Sequence, residues 1–225
     1  MFGYIFKIIL LFLSTACLAQ VSRDTTRTFM PSGIRFGVEA ISLIKSNSTD
    51  GFQGKEITLD TDFDRYFLVT EIGQSSRTLE IQNGTYSNDG KYFRIGVDVN
   101  FLKKDPDKNM FFLGFRYGRS MFDEVARYGT TSVYGSQQKI ITNDGVQSGW
   151  AELTTGLRVR FWKIFWLGYT ARMRLGASVP ANAKLLPYDV PGYGLTFKKP
   201  WWGFSYYVMV RIPVRKEKST LSSAK

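Results

Sequence analysis

The sequence predicts an all-β fold: an eight-stranded antiparallel up-and-down transmembrane β-barrel behind a cleaved signal peptide. Three observations carry the prediction. Phe93-Arg94-Ile95-Gly96-Val97-Asp98-Val99-Asn100-Phe101 alternates apolar residues with charged, amide or glycine residues, the period of a strand with one greasy and one polar face. Two-faced segments of about ten residues recur along the chain, as in barrels that cross a membrane with strands. The connections between them alternate short and long, which matches the short periplasmic turns and long external loops of such barrels.

Residues 1–19 carry Lys7, no acid, the apolar run Ile8-Ile9-Leu10-Leu11-Phe12-Leu13 and then small residues from Ser14 to Cys17. This reads as a secretory signal peptide. A cut after Ala19 has Cys17 and Ala19 at the two small positions it requires. Lipidation of Cys17, the single cysteine, is the alternative, disfavoured because Ser14 stands where a large aliphatic residue is needed. No later run of about 18 apolar residues offers a helical span. Removing the signal takes only Lys7 from the formal charge of +11. An exported basic chain does not meet nucleic acid, so anionic lipid is the expected partner.

Strands are predicted near 33–44, 54–63, 66–75, 91–102, 110–121, 149–161, 164–176 and 201–213, within a barrel domain spanning 33–214. Residues 20–32 and the basic tail 215–225 then lie in the periplasm with both termini. Short turns fall at Asp64-Arg65, Lys103 to Asn109 and Trp162-Lys163. Long polar loops fall at 45–53, 76–90, 122–148 and 177–200 and point outward. With the apolar face toward lipid, Phe63 and Tyr66, Phe101 and Phe111, and Phe161 and Phe165 flank the short turns at one height, as an interfacial aromatic girdle does.

The opposite face carries charge and glycine. The charged set is Arg35, Glu39, Glu56, Asp60, Asp62, Glu71, Arg94, Asp98, Arg116, Glu152, Arg158, Arg160, Arg172, Arg174 and Arg211. Its acids concentrate in the first four strands and its arginines in the last four, so closing the sheet sets an acidic wall against a basic one in a lumen ion network. Glycines such as Gly96, Gly114 and Gly168 leave room for guanidinium groups. Eight strands enclose only enough space for side chains, so a diffusion pore is not expected.

Histidine is absent from the chain, which removes Ser-His and Cys-His nucleophiles and the commonest metal ligand. No catalytic residue, cofactor or metal ligand is assigned. Asp60 and Asp62 share a strand face but read as lumen ion pairs. Asp60 to Asp64 and Asp105 to Asn109 resemble the start of a calcium loop but lack its glycine and distal glutamate. Asn47-Ser48-Thr49 and Asn83-Gly84-Thr85 match a glycosylation pattern by chance. Lys91, Arg119, Lys198 and Lys199 stand at strand tops, where they contact lipopolysaccharide phosphates or remain ordinary solvated charges. The loop from Leu185 to Gly194 is rich in proline and aromatics and is expected to fold over the mouth or meet a partner.

Gly114-Phe115-Arg116-Tyr117-Gly118, Trp150-Ala151-Glu152-Leu153 through Val159, the Pro187-Tyr188 to Pro191-Gly192 loop and Trp202-Gly203-Phe204-Ser205-Tyr206-Tyr207 together resemble an uncharacterised family of small outer-membrane β-barrel proteins of Gram-negative bacteria, a domain of unknown function. The resemblance spans roughly 33–214. It implies location and fold and brings no catalytic residues. The expected role is a non-enzymatic structural or interaction protein of the outer membrane, working through external loops or as an accessory subunit beside other envelope proteins. A soluble lipocalin-like periplasmic barrel is the alternative, and it would need its apolar face inward. A lipid-modifying enzyme is the third reading, against which the missing histidine argues.

Overall fold

A computed structural model describes residues 31–81, 83–102, 105, 107–132, 135–178, 185–197 and 201–214. The signal peptide, most of the 20–32 segment, the 215–225 tail, Lys198 and Lys199 lie outside the described residues. The elements are β1 (Gly33–Glu39), α1 (Ala40–Ser48), β2 (Phe52–Phe63), β3 (Tyr66–Ile81), β4 (Gly84–Asn100), β5 (Met110–Ser132), β6 (Gly135–Trp162), β7 (Phe165–Leu175), β8 (Asp189–Val190), β9 (Gly194–Leu195) and β10 (Trp201–Pro213). β1 to β7 and β10 form a closed barrel in the ring order β1-β10-β7-β6-β5-β4-β3-β2. Every pair is antiparallel, and β10 closes on β1 from Gly33↔Pro213 to Glu39↔Tyr207.

The two faces sort as the alternation requires. On β4, Ile95 and Val97 are each 44% exposed, whereas Arg94 and Asp98 on either side of them are buried. An apolar side chain left outside and a charge taken inside is the reverse of a soluble fold. The same inversion holds on β1, where Phe36 and Val38 are exposed and Arg35 is buried, and on β6, where Leu157 and Val159 flank buried Arg158.

Two departures from expectation concern length. The predicted strand 33–44 stops at Glu39 and its second half is α1. The Glu39 carboxylate accepts the Ile41 and Ser42 N–H groups at 3.1 and 2.5 Å, the satisfaction of orphan donors that starts a helix. Ser46 Oγ then donates to Gly54 O and accepts Gly54 N–H, which pins α1 to β2.

The stretches 76–90 and 122–148, expected as long loops, are mostly strand. β3 and β4 pair up to Ile81↔Gly84, and β5 and β6 up to Ser132↔Gly135. About 9–11 residues suffice for a strand to span the hydrocarbon layer, so the 23 residues of β5 and 28 of β6 extend well beyond such a span. There the apolar alternation lapses, and the strands are held by ladder hydrogen bonds and by inward side chains such as Tyr86, which donates to Glu124 at 2.7 Å, and Phe122 and Val146, which cluster with Tyr193. Asn83 adopts the left-handed conformation at φ 63° at the β3–β4 tip, a conformation that asparagine tolerates better than most residues. A bulge opposite Asp123 places Gly145 at φ 64°, and Gly145 N–H donates to the Asp123 carboxylate at 2.6 Å.

Candidate functional site

Ion pairs, with small apolar clusters beside them, fill the interior upward from the end that carries the short turns. There Arg211 reaches Asp62 at 3.5 Å and Ser32 Oγ donates to the same carboxylate at 2.6 Å. Next, Asp60 is shared by Arg35 at 2.8 Å and Arg158 at 2.5 Å. Arg35 lies over the Phe67 and Trp166 rings and Arg158 over Phe112, contacts that favour a desolvated cation. Arg158 and Arg116 each stand 3.0 Å from Asp98.

Glu71 is the hub. Arg116 from β5, Arg94 from β4 and Arg172 from β7 all bind its carboxylate, the latter two at 2.9 and 3.1 Å. Arg94 also takes Glu56 at 2.8 Å and Glu152 at 3.2 Å, and Glu152 is within 3.3 Å of Arg172 and 3.5 Å of Arg174. Acids of β2 to β4 thus face arginines of β5 to β7 across the barrel. Asp60, Glu71, Asp98 and Glu152 each have at least two arginine partners, so none of these buried charges stands alone.

Two members of the expected charged set stand elsewhere. Glu39 caps α1 and accepts Tyr206 N–H at 3.3 Å. Arg160 stands opposite Trp166 as the last regular pair before the register breaks near the end of β6, so its side chain reaches the rim, where it is 38% exposed and pairs with Asp107. Sequence reasoning missed two tyrosines that complete the network. Tyr92 and Tyr207 both donate to Glu56 at 2.6 Å, and Arg172 donates to the Tyr207 oxygen at 2.8 Å. Tyrosine counts as apolar in an alternation, but Tyr92 sits two residues before Arg94 and therefore on the same face.

Above the network the chain folds back into the mouth. Residues 185–197 form a small hairpin through β8 and β9, turning at Gly192, φ 81°. Arg94 donates to Gly192 O at 2.8 Å and Arg174 to Tyr193 O at 2.5 Å. The Tyr193 ring meets Trp150 edge-on at 5.7 Å within a cluster of Tyr92, Phe122, Val146 and Val190. Asp189 is held by Arg77 at 3.2 Å, while Asn88 and the Tyr86 hydroxyl donate to its carbonyl. Burial raises the Asp189 carboxyl above its ordinary range, with Arg77 pulling the other way. Glu124, in the outer part of β5, is raised by burial too, against hydrogen bonds from Asn143 and Tyr86.

On the outside, the aromatic pairs flank the three short turns. Phe63 pairs with Tyr66 in register, and Phe101 and Phe111, like Phe161 and Phe165, have ring centroids 6.1 Å apart. Lys91 is exposed on the outward face of β4 two residues above Phe93, and Arg119, on the same face of β5, donates to Gln147. The aspartates of the two calcium-like stretches hold turns: Asp62 accepts Asp64 N–H and Asp105 accepts the N–H groups of Asp107 and Asn109. Among the described residues, no helix is long and apolar enough to cross a membrane, and no cluster of three or more His, Cys, Asp or Glu side chains could hold a metal ion.

Similar architecture occurs in solved outer-membrane proteins at very low identity. The N-terminal β-barrel domain of Pseudomonas aeruginosa OprF is 10% identical, with 81% of this chain and 100% of that one covered at a TM-score of 0.37. Ail, the attachment invasion locus protein of Yersinia pestis, is 8% identical, with 81% and 98% covered at 0.36. Its complex with the heparin analogue sucrose octasulfate scores 0.31. No curated protein matches the sequence. A family model covers nearly the whole chain at residues 1–217, and the protein therefore belongs to the family described as Domain of unknown function (DUF6048).

Proposed function

We propose that this protein is a non-enzymatic barrel of the outer membrane of a Gram-negative bacterium, serving as a structural or interaction protein through its external face. The observation that carries the reading is the inversion of the wall: exposed Phe36, Ile95, Val97, Leu157 and Val208 outside, buried Arg35, Arg94, Arg116 and Arg172 inside. Only a hydrocarbon surround makes that arrangement favourable. A lipocalin-like protein needs an apolar chamber, and here the chamber is filled by ion pairs.

Residues 1–19 act as the signal, and the termini and short turns face the periplasm. The long side of the barrel, β3 to β6, then stands out from the cell as a β-wall whose inner surface is covered by the 185–197 hairpin. Lys91 and Arg119, where the apolar ladder ends, contact lipopolysaccharide phosphates, and the tips of the wall are available to other envelope proteins. In cell fractionation the protein is expected in the outer membrane, with a heat-modifiable band in detergent electrophoresis. Recovery from the periplasm without detergent would refute the reading.

A further inference from the structure

The barrel wall is not equally tall all round, and one notch in it opens sideways. β1 ends at Glu39, opposite Tyr207 on one side, and its last partner on the other is Ile57. Both neighbours run on, β2 as far as Phe52 and β10 as far as Trp201. Among the described residues no strand fills the ring between them, and α1 crosses the gap instead. An open cleft of about 420 Å³ lies there, reaching inward to Arg94 and Arg174 and outward to Trp202 and Phe204.

The surface outside the notch is apolar. Trp202, Phe204 and Tyr206 on β10 are 54%, 55% and 51% exposed, and Leu43 and Ile44 of α1 are 43% and 64% exposed. Such surface belongs beside acyl chains or at their boundary with headgroups. The inside is cationic. Its three carboxylates are engaged: Glu39 by the α1 backbone, Glu56 by Tyr92, Tyr207 and Arg94, and Asp189 by Arg77 and Asn88. Lys45 is exposed at the rim with no ion pair among the described residues.

Arg174 stands at the back. Its Nη1 is bound to Tyr193 O and its Nε is 3.5 Å from Glu152. Its Nη2 lies over Gly203, 2.8 Å from where a Cβ would sit. The missing side chain at Gly203 leaves the outer edge of the guanidinium open to the cleft.

We infer that this notch binds an anionic lipid phosphate, with the phosphate on Arg174 and Lys45 and the acyl chains along the Trp202, Phe204 and Tyr206 ridge. Resting as it does on the outer-membrane reading, the site lets a lipid enter sideways while the lumen stays closed. Arginine suits the role because its planar fork pairs with phosphate oxygens while its remaining donors stay engaged. An ordinary soluble anion lacks the chains that the aromatic ridge would cover.

The test is calorimetric titration of the purified protein in maltoside micelles with dioctanoyl phosphatidic acid, dioctanoyl phosphatidylcholine and inorganic phosphate. Saturable one-to-one binding of phosphatidic acid is expected, at least tenfold tighter than phosphatidylcholine, with none for inorganic phosphate. Arg174→Gln should weaken it at least tenfold, Arg174→Lys should restore part of it, and Gly203→Leu should abolish it by filling the cradle. Each variant is first checked for the heat-modifiable band.

Absence of saturable binding by heat-modifiable protein, equal affinity in Arg174→Gln, or equal affinity for the zwitterionic lipid overturns the site and leaves the barrel reading intact. Inorganic phosphate binding as tightly as the lipid makes it a soluble-anion site and overturns it as well. Wild-type protein with no heat-modifiable band removes the barrel reading and the notch together.

Discussion

At the scale of single residues the lumen is held by shared charges, so removing one partner should cost more than any one pair suggests. Glu71 is shared by Arg94, Arg116 and Arg172. Glu71→Gln leaves those guanidiniums to Glu56, Asp98 and Glu152 alone, and an uncompensated buried charge costs about 3–5 kcal/mol. Urea unfolding in lipid vesicles should register a loss of that size. An unchanged midpoint would mean that water reaches the hub. The outward face responds to the opposite chemistry. Val97→Arg should cost about 2–4 kcal/mol at the bilayer midplane, and Val97→Leu should be nearly neutral in the same assay. If the arginine is tolerated and the leucine is not, the inside and outside faces are exchanged. Gly96 allows no such latitude, since a Cβ there would collide with the Phe115 carbonyl oxygen. Gly96→Ala should therefore disturb the β4–β5 ladder without any change of charge.

At the scale of elements, legibility followed the solvent. Where strands face lipid on one side and ion pairs on the other, as Phe93 to Phe101 do, period two was plain and the strand could be read. Where the strands meet water outside and protein inside, as in the outer halves of β5 and β6, the same backbone shows no sustained period-two apolar face, and the stretches read as loops. The helix α1 was hidden for another reason: Ile34, Phe36, Val38 and Ala40 keep period two around the inward Glu39, and Ile41, Leu43 and Ile44 run on apolar, so only the Glu39 carboxylate on the Ile41 and Ser42 N–H groups marks the change. The lumen charges were legible from alternation, while Tyr92, Tyr207 and the hairpin contacts depended on tertiary placement.

That hairpin should respond to pH. Asp189 and Glu124 have carboxyl pKa values raised mainly by burial. A group whose pKa is higher docked than undocked opposes docking while ionised, fully above the raised value and not at all below its ordinary one. Docking should therefore strengthen as pH falls from neutral toward the ordinary carboxylate range. Hydrogen-exchange protection of residues 188–196, corrected for intrinsic rates, should rise on acidification, and Asp189→Asn with Glu124→Gln should flatten the rise. Protection that falls on acidification would show that the Arg77–Asp189 pair outweighs burial.

At the scale of the whole molecule, the lumen carries two possible seals, the hairpin in the mouth and the ion network below it. The network crosses the barrel at successive levels, from Arg35 and Asp60 through Arg116 and Asp98 to Arg172 and Glu71, and these side chains are at most 3% exposed. An eight-stranded ring has room for side chains and little else, so the seal belongs to the network. In planar bilayers the intact protein should show no steady conductance of porin size. A variant with residues 186–197 replaced by a glycine-serine linker should remain equally silent, although it loses the hairpin. Steady conductance in that variant alone would move the seal to the mouth and make the hairpin a plug. Conductance in the intact protein would mean that the ion pairs leave a continuous water path, against the burial of Arg116, Arg172 and Glu152.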